Sequence, residues 1–263
     1  MNTKAFMYRI AVFLSVVAAL WTLAPREAAA RLTATANHDH ISIDFLYHGS
    51  SVSVRGISDP GADLVIAITS ADGEQALKKK GKVAGFLWMN VGKLAFEKVP
   101  ALYFVNSTKN PDDILSIEER EKYGIGYAAL EKHAEIKPVA GEDEKTKWFD
   151  EFIKLKKSAH LYDVSSGKIQ VTEKDGAQNY YILCDWPYQA APGDYTVTVY
   201  AVKDKKVVEK AEAKVQVEQV GLVKLLSSMA KEHGAMYGLI SILAALGAGF
   251  GVGLVFRKGG GAH

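Results

Sequence analysis

His38-Asp39-His40 is the densest group of metal-capable side chains in the sequence. On an extended strand the two imidazoles point the same way, two residues apart, which suits Zn²⁺ or Cu²⁺ if Asp44 or His48 closes on them as a third ligand. The plainer reading of His38 and His40 is a polar lead-in to the first strand. Cys184 is the single cysteine, so an intrachain disulfide and a multi-cysteine zinc or iron–sulfur site are excluded. It sits in Tyr180-Tyr181-Ile182-Leu183-Cys184-Asp185-Trp186, where alternation puts it on the face opposite Leu183, as a small buried residue. Trp186, Tyr188, Tyr195 and Tyr200 would line a sugar-binding face or flank a core. No Gly-x-Ser-x-Gly elbow and no Gly-x-x-x-x-Gly-Lys-[Ser/Thr] loop occurs. The acidic runs Asp112-Asp113 and Glu142-Asp143-Glu144 read as helix N-terminal charges. The residues therefore predict no catalytic group and no cofactor.

Charge narrows the partners. The formal net charge is +2, but residues 31–256 hold 27 basic and 29 acidic side chains. The basicity belongs to the ends, and the middle offers no general reason to bind nucleic acid or anionic lipid.

The two ends set the topology. Lys4 and Arg9 precede an uncharged run from Ile10 to Ala24, then Pro25 and Ala28-Ala29-Ala30. This is the pattern of a secretory signal peptide over residues 1–30. Its 15-residue run rises about 22 Å as helix, short of a ~30 Å hydrocarbon core. At the other end, Gly234 to Phe256 is 23 residues without a charge, about 34 Å of helix and enough to span a bilayer. Arg257 and Lys258 follow it, and the positive-inside rule places the tail 257–263 in the cytoplasm and the preceding domain outside. Within the span, Gly247, Gly249, Gly251 and Gly253 form two overlapping Gly-xxx-Gly pairs, the spacing that lets a second helix approach closely in lipid.

Between the ends, residues 31–110 read as short strands. Ile41 to Phe45 and Ser51 to Arg55 alternate apolar and polar, and Asp63 to Thr69 is nearly continuous in apolar residues, as a central strand is. Val83 to Trp88, Lys93 to Lys98 and Ala101 to Val105 read as three more. Residues 111–158 read as a helical insertion. Asn110 before Pro111 is one helix start, Ser116 with Glu119 an alternative one, and a later helix places Trp148, Phe152 and Leu155 on one stripe. Residues 159–219 return to strands, with Pro192-Gly193-Asp194 leading into the strict alternation of Tyr195 to Tyr200. The expected fold is mainly β, an immunoglobulin-like β-sandwich with a helical insertion and one C-terminal transmembrane helix. Residues 220–233, with Leu222, Leu225, Leu226 and Met229 at helical spacing, read as an amphipathic juxtamembrane helix before the span at 234–256.

Val54-Arg55-Gly56, Lys82-Val83-Ala84-Gly85 with Trp88-Met89-Asn90, Val99-Pro100-Ala101-Leu102-Tyr103, Gly193-Asp194-Tyr195 and Val220-Gly221-Leu222 occur in this order along the chain. Together with the glycine-rich span they resemble the alphaproteobacterial putative transmembrane protein family over residues 40–258. The resemblance implies a bacterial inner-membrane protein with its domain in the periplasm. It also implies, by association, a role near permeases of the sulfite-exporter type. The leading expectation is a non-enzymatic accessory or interaction subunit of a membrane complex. The rival is a membrane-tethered periplasmic binding module for a metal ion or small solute, using His38 and His40 or the strand aromatics.

Overall fold

The computed structural model describes residues 32–37, 39–174 and 176–257. Residues 1–31, which include the expected signal peptide, His38, Asp175 and residues 258–263 lie outside them. The described strands are β1 (Thr35–Ala36), β2 (His40–Ile43), β3 (Ser50–Ser58), β4 (Asp63–Ser70), β5 (Asp72–Val83), β6 (Leu87–Pro100) and β7 (Tyr103–Ser107). A helical segment follows, with α1 (Pro111–Ile114), α2 (Ile117–Tyr123), α3 (Tyr127–His133), the short β8 (Glu135–Lys137) and α4 (Glu142–Ser158). The chain then returns to β9 (Tyr162–Ser166), β10 (Gln170–Lys174), β11 (Ala177–Trp186), β12 (Gly193–Lys203) and β13 (Lys206–Gln219), and ends in α5 (Gly221–Glu232) and α6 (Gly234–Arg257).

Two sheets form a sandwich, one ordered β1-β3-β11-β10 and the other β2-β13-β12-β4-β7-β9. Each draws strands from both halves of the chain, since β3 pairs with β11 and β4 with β12. One core therefore serves both halves. Val52, Val54, Ile182 and Trp186 from the first sheet pack against Leu64, Ile66, Ile68, Val197, Val199 and Val215 from the second. The six-stranded sheet is also covered on its other face. There Val65, Ala67, Tyr103, Val105 and Tyr200 meet Phe96, Leu130, Ile136, Phe149 and Phe152 of the helices and of a third sheet, β5-β6-β8. Burial on both faces is why β4 reads as an unbroken apolar run, a pattern that half-buried strands do not show. The helical segment is the connection that lets β7 and β9 lie parallel, Tyr103 opposite Tyr162 and Ser107 opposite Ser166, since no hairpin can join parallel neighbours.

Local sequence explains the joints. Asn110 Oδ1 accepts from Asp112 N at 3.1 Å and caps α1, with Pro111 as its first residue. Ser116 Oγ accepts from Glu119 N at 3.2 Å and caps α2, so the two alternative helix starts are both used. The Glu119 carboxylate does not reach back to complete a capping box; it accepts from Val207 N at 2.9 Å and fixes the start of β13. Tyr195 donates its hydroxyl to Ala191 O at 2.5 Å and meets Trp186 edge-on at 4.8 Å. This arrangement resembles the tyrosine corner of immunoglobulin-like sandwiches. Gly56 is required by a close approach: a Cβ there would collide with the carbonyl of Thr33, where the N-terminal segment crosses β3.

Two expectations are corrected. Val83 to Trp88 is not a strand but the end of a long hairpin, β5 turning into β6 through Ala84 and Gly85, which both have positive φ. Lys93 to Lys98 is the inner half of β6. A shift of register between Lys79 and Lys80 breaks the alternation that would have revealed the full length. On α4 the buried stripe is Phe149, Phe152, Ile153 and Lys156, not Trp148, Phe152 and Leu155. Leu155 is 48% exposed, because the Lys156 stem takes the position beside Phe152 and Tyr162 with its ammonium 3.4 Å from Ala101 O.

Candidate functional site

β10 pairs with β11 as far as Gln170 opposite Tyr181, and beyond that point β11 continues without a described neighbour on that side. The two sheets part there and leave a cleft of about 630 Å³. Its floor is buried and largely aromatic: Phe104, Asn106, Tyr162, Cys184 and Trp186. Its rim carries both signs, with Lys157 and His160 at the end of α4, Lys168 before β10 and His48 before β3, and with Asp163 and Asp185 among them.

The polar groups of Asn106 and Tyr162 on the floor are partnered, whereas the buried Trp186 Nε1 has no hydrogen-bond partner among the described residues. Asn106 donates to Cys184 Sγ at 3.8 Å and accepts from Ser165 Oγ at 2.7 Å. Lys168 pairs with Asp163 at 3.1 Å, Lys157 lies over the Tyr127 ring at 5.5 Å, and His48 Nδ1 is held by the carbonyl of Leu46. A mouth of mixed charge, with Lys157 and Lys168 beside Asp163 and Asp185, over an aromatic floor suits a small polar solute. The Cys184 partner is thus the Asn106 amide, not a histidine or a carboxylate. Burial pushes the Cys184 thiol up to about 11. In folded protein at pH 8, Cys184 is therefore expected to resist alkylation by iodoacetamide and to react on denaturation, with reactivity in the folded state rising only as pH approaches 11. Rapid stoichiometric labelling at pH 8 without denaturant would show the thiol to be open and activated.

The other sequence candidates separate in space. His40 lies on β2, which runs parallel to β13, and its Nε2 is 3.1 Å from Glu218 Oε1. His38 lies outside the described residues, and among those described no group of three or more His, Cys, Asp or Glu is placed to hold a metal. The two considered third ligands are engaged in their own turn: Asp44 Oδ1 accepts from Leu46 N at 2.9 Å, and His48 meets Leu46 O. The aromatic set does not form one face. Trp186 and Tyr195 fill the sandwich core, Tyr200 lies in the other core against Tyr123 at 5.1 Å, and Tyr188 is exposed at the cleft.

In α6 the side chains are exposed on every face, and 21 residues from Gly234 to Leu254 are long and apolar enough to cross a membrane. Ala245, Gly249 and Gly253 make one row, and with Leu246, Phe250 and Leu254 they form a groove of about 400 Å³. Gly247 and Gly251 fall on the far side of the helix, since two residues turn it by about 200°. A Cβ at any of the four glycines would meet nothing.

The glycines, His40 and Cys184 stand out in the sequence, whereas the cleft and Glu218 do not. Four distant segments assemble the cleft, and no spacing in the sequence announces it. The alphaproteobacterial family described as "Putative transmembrane protein (Alph_Pro_TM)" matches residues 31–258. No curated protein matches the chain.

Proposed function

Since the chain belongs to the alphaproteobacterial putative transmembrane protein family, we propose that it is a single-pass inner-membrane protein whose periplasmic β-sandwich works as a non-enzymatic accessory or interaction subunit of a membrane complex. The observation that carries this reading is the bare small-residue groove along Ala245, Gly249 and Gly253 of α6, which gives a second membrane helix a place to pack. An integral-membrane permease, of the sulfite-exporter type that the family resemblance implies, is the proposed partner. The basic Arg257 and Lys258 support a cytoplasmic tail and an exported domain.

The test is the double change Gly249→Leu and Gly253→Leu. Leucine preserves insertion but blocks close backbone approach, so the variant is expected to enter the membrane normally and to lose its integral-membrane partner in native pull-down from mild detergent. Unchanged co-purification would reduce the glycine row to composition. A second reading, a tethered binding module, is favoured by the cleft beneath Lys157, His160 and Lys168, with His38 and His40 as its metal-binding form. Isolation of the protein alone with a bound solute or metal supports that alternative.

A further inference from the structure

The hairpin β5–β6 carries an exposed apolar end that nothing in the two cores uses. Phe86 is 78% exposed, Trp88 64% and Leu87 51%, and Met89 and Val91 beside them are also open. Lysines surround them: Lys78, Lys79, Lys80, Lys82 and Lys93 fall between Gln75 and Phe96, a stretch without a single acidic residue. The near-neutral charge of the domain hides this local cluster. Lys82 lies over the Trp88 ring at 5.4 Å, across the strand pair Lys82–Trp88.

The direction of the hairpin follows from its contacts. Its base, at Asp72 and Pro100, lies at the end of the sandwich where β13 hands over to α5, because Ser70 pairs with Tyr195 and Tyr195 with Val215. From there it runs along α4, with Phe96 stacked on Phe152 at 4.5 Å and Lys79 reaching Glu144 at 3.6 Å near the first turn of that helix. Beyond Lys79 the hairpin projects past α4. The end from which α5 leaves has exposed apolar residues of its own, Phe45 and Leu46, next to Ile43, whose carbonyl accepts from Val220 N. The hairpin tip therefore points away from the end of the sandwich at which the chain leaves for α5 and the α6 span.

We propose that this tip inserts into the headgroup layer of an anionic lipid surface facing the one that holds α6. The chemistry favours lipid over a protein partner. Lysine is depleted from the centres of protein–protein interfaces, whereas Trp, Phe and Leu interleaved with Lys is the composition that seats side chains at a membrane interface, rings at headgroup level and ammonium groups on the phosphates.

The experiment holds the full chain in nanodiscs through α6 and floats it with separate vesicles of phosphatidylethanolamine and phosphatidylglycerol, or of phosphatidylcholine alone. The nanodiscs are expected to rise with the anionic vesicles and much less with the neutral ones, the difference shrinking as salt screens the lysines. The triple variant F86S/L87S/W88S is expected to lose flotation by about tenfold or more, and K80E/K82E to weaken it on anionic vesicles alone. All five positions are exposed or lie on the projecting end, and circular dichroism checks that the fold is kept. Absence of flotation, flotation that both variants retain, or tip-dependent capture of a protein without vesicle binding would overturn the proposal.

Discussion

Phe152→Ala is expected to lower the stability of the β-rich domain by about 3–5 kcal/mol, the range for removing a large aromatic side chain from a packed core. Phe152 is 1% exposed and central to the second core. It stacks on Phe96 at 4.5 Å, meets Tyr162 edge-on at 5.7 Å and touches Phe149. One residue thus joins the hairpin, the helix α4 and the parallel strand β9, and its loss leaves a cavity that neighbours on three separate elements cannot easily fill. Thermal unfolding of the full chain in mild detergent, followed by near-ultraviolet circular dichroism, measures the effect. A single transition displaced to lower temperature supports a six-stranded sheet whose two cores unfold together. Unchanged stability would mean that the helical layer is an ornament on the sandwich.

The second large effect lies in the membrane. Replacing Leu243 and Leu246 with Arg puts two cations near the middle of α6, and each is expected to cost about 2.5–3.5 kcal/mol of insertion. The side chains of α6 are exposed, so within the described chain no protein interior can shelter the new charges. The wild-type protein is expected to stay in the membrane pellet on alkaline carbonate extraction and the double variant to leave it. A double variant that remains in the pellet would place the anchor elsewhere in the chain.

The outline of this fold was legible where a single physical signal dominates. The uncharged length of 234–256, the alternation of Tyr195 to Tyr200 and the continuous apolar run of β4 each fix an element without help from the rest. Cys184 was placed correctly by parity with Leu183, which is 52% exposed against 8% for the cysteine. What remained hidden depends on pairings between distant segments. The parallel contact of β7 with β9 gives the helical segment its purpose, and neither strand carries a mark of its partner. The hairpin stays hidden because its lysine-rich half, Leu77 to Lys82, lacks an apolar residue at every second position and carries a register shift. The stripe of α4 was misassigned by one residue because Trp148 outranks Phe149 in size while Phe149 faces the core. The candidate sites divide the same way: the glycine row lies within one helix and was visible, whereas the cleft is made by the parting of two sheets.

The proposed topology is an exported sandwich held by one outward-in span. Thiol accessibility in whole cells tests it directly, with Cys184 first replaced by Ala, then a single cysteine introduced either at Lys174, which is exposed on β10, or at Gly260 beyond the span. A membrane-impermeant maleimide is expected to label the cysteine at 174 in intact cells and to reach the one at 260 only after permeabilisation of the inner membrane. Labelling at 260 with protection at 174 in intact cells would contradict it.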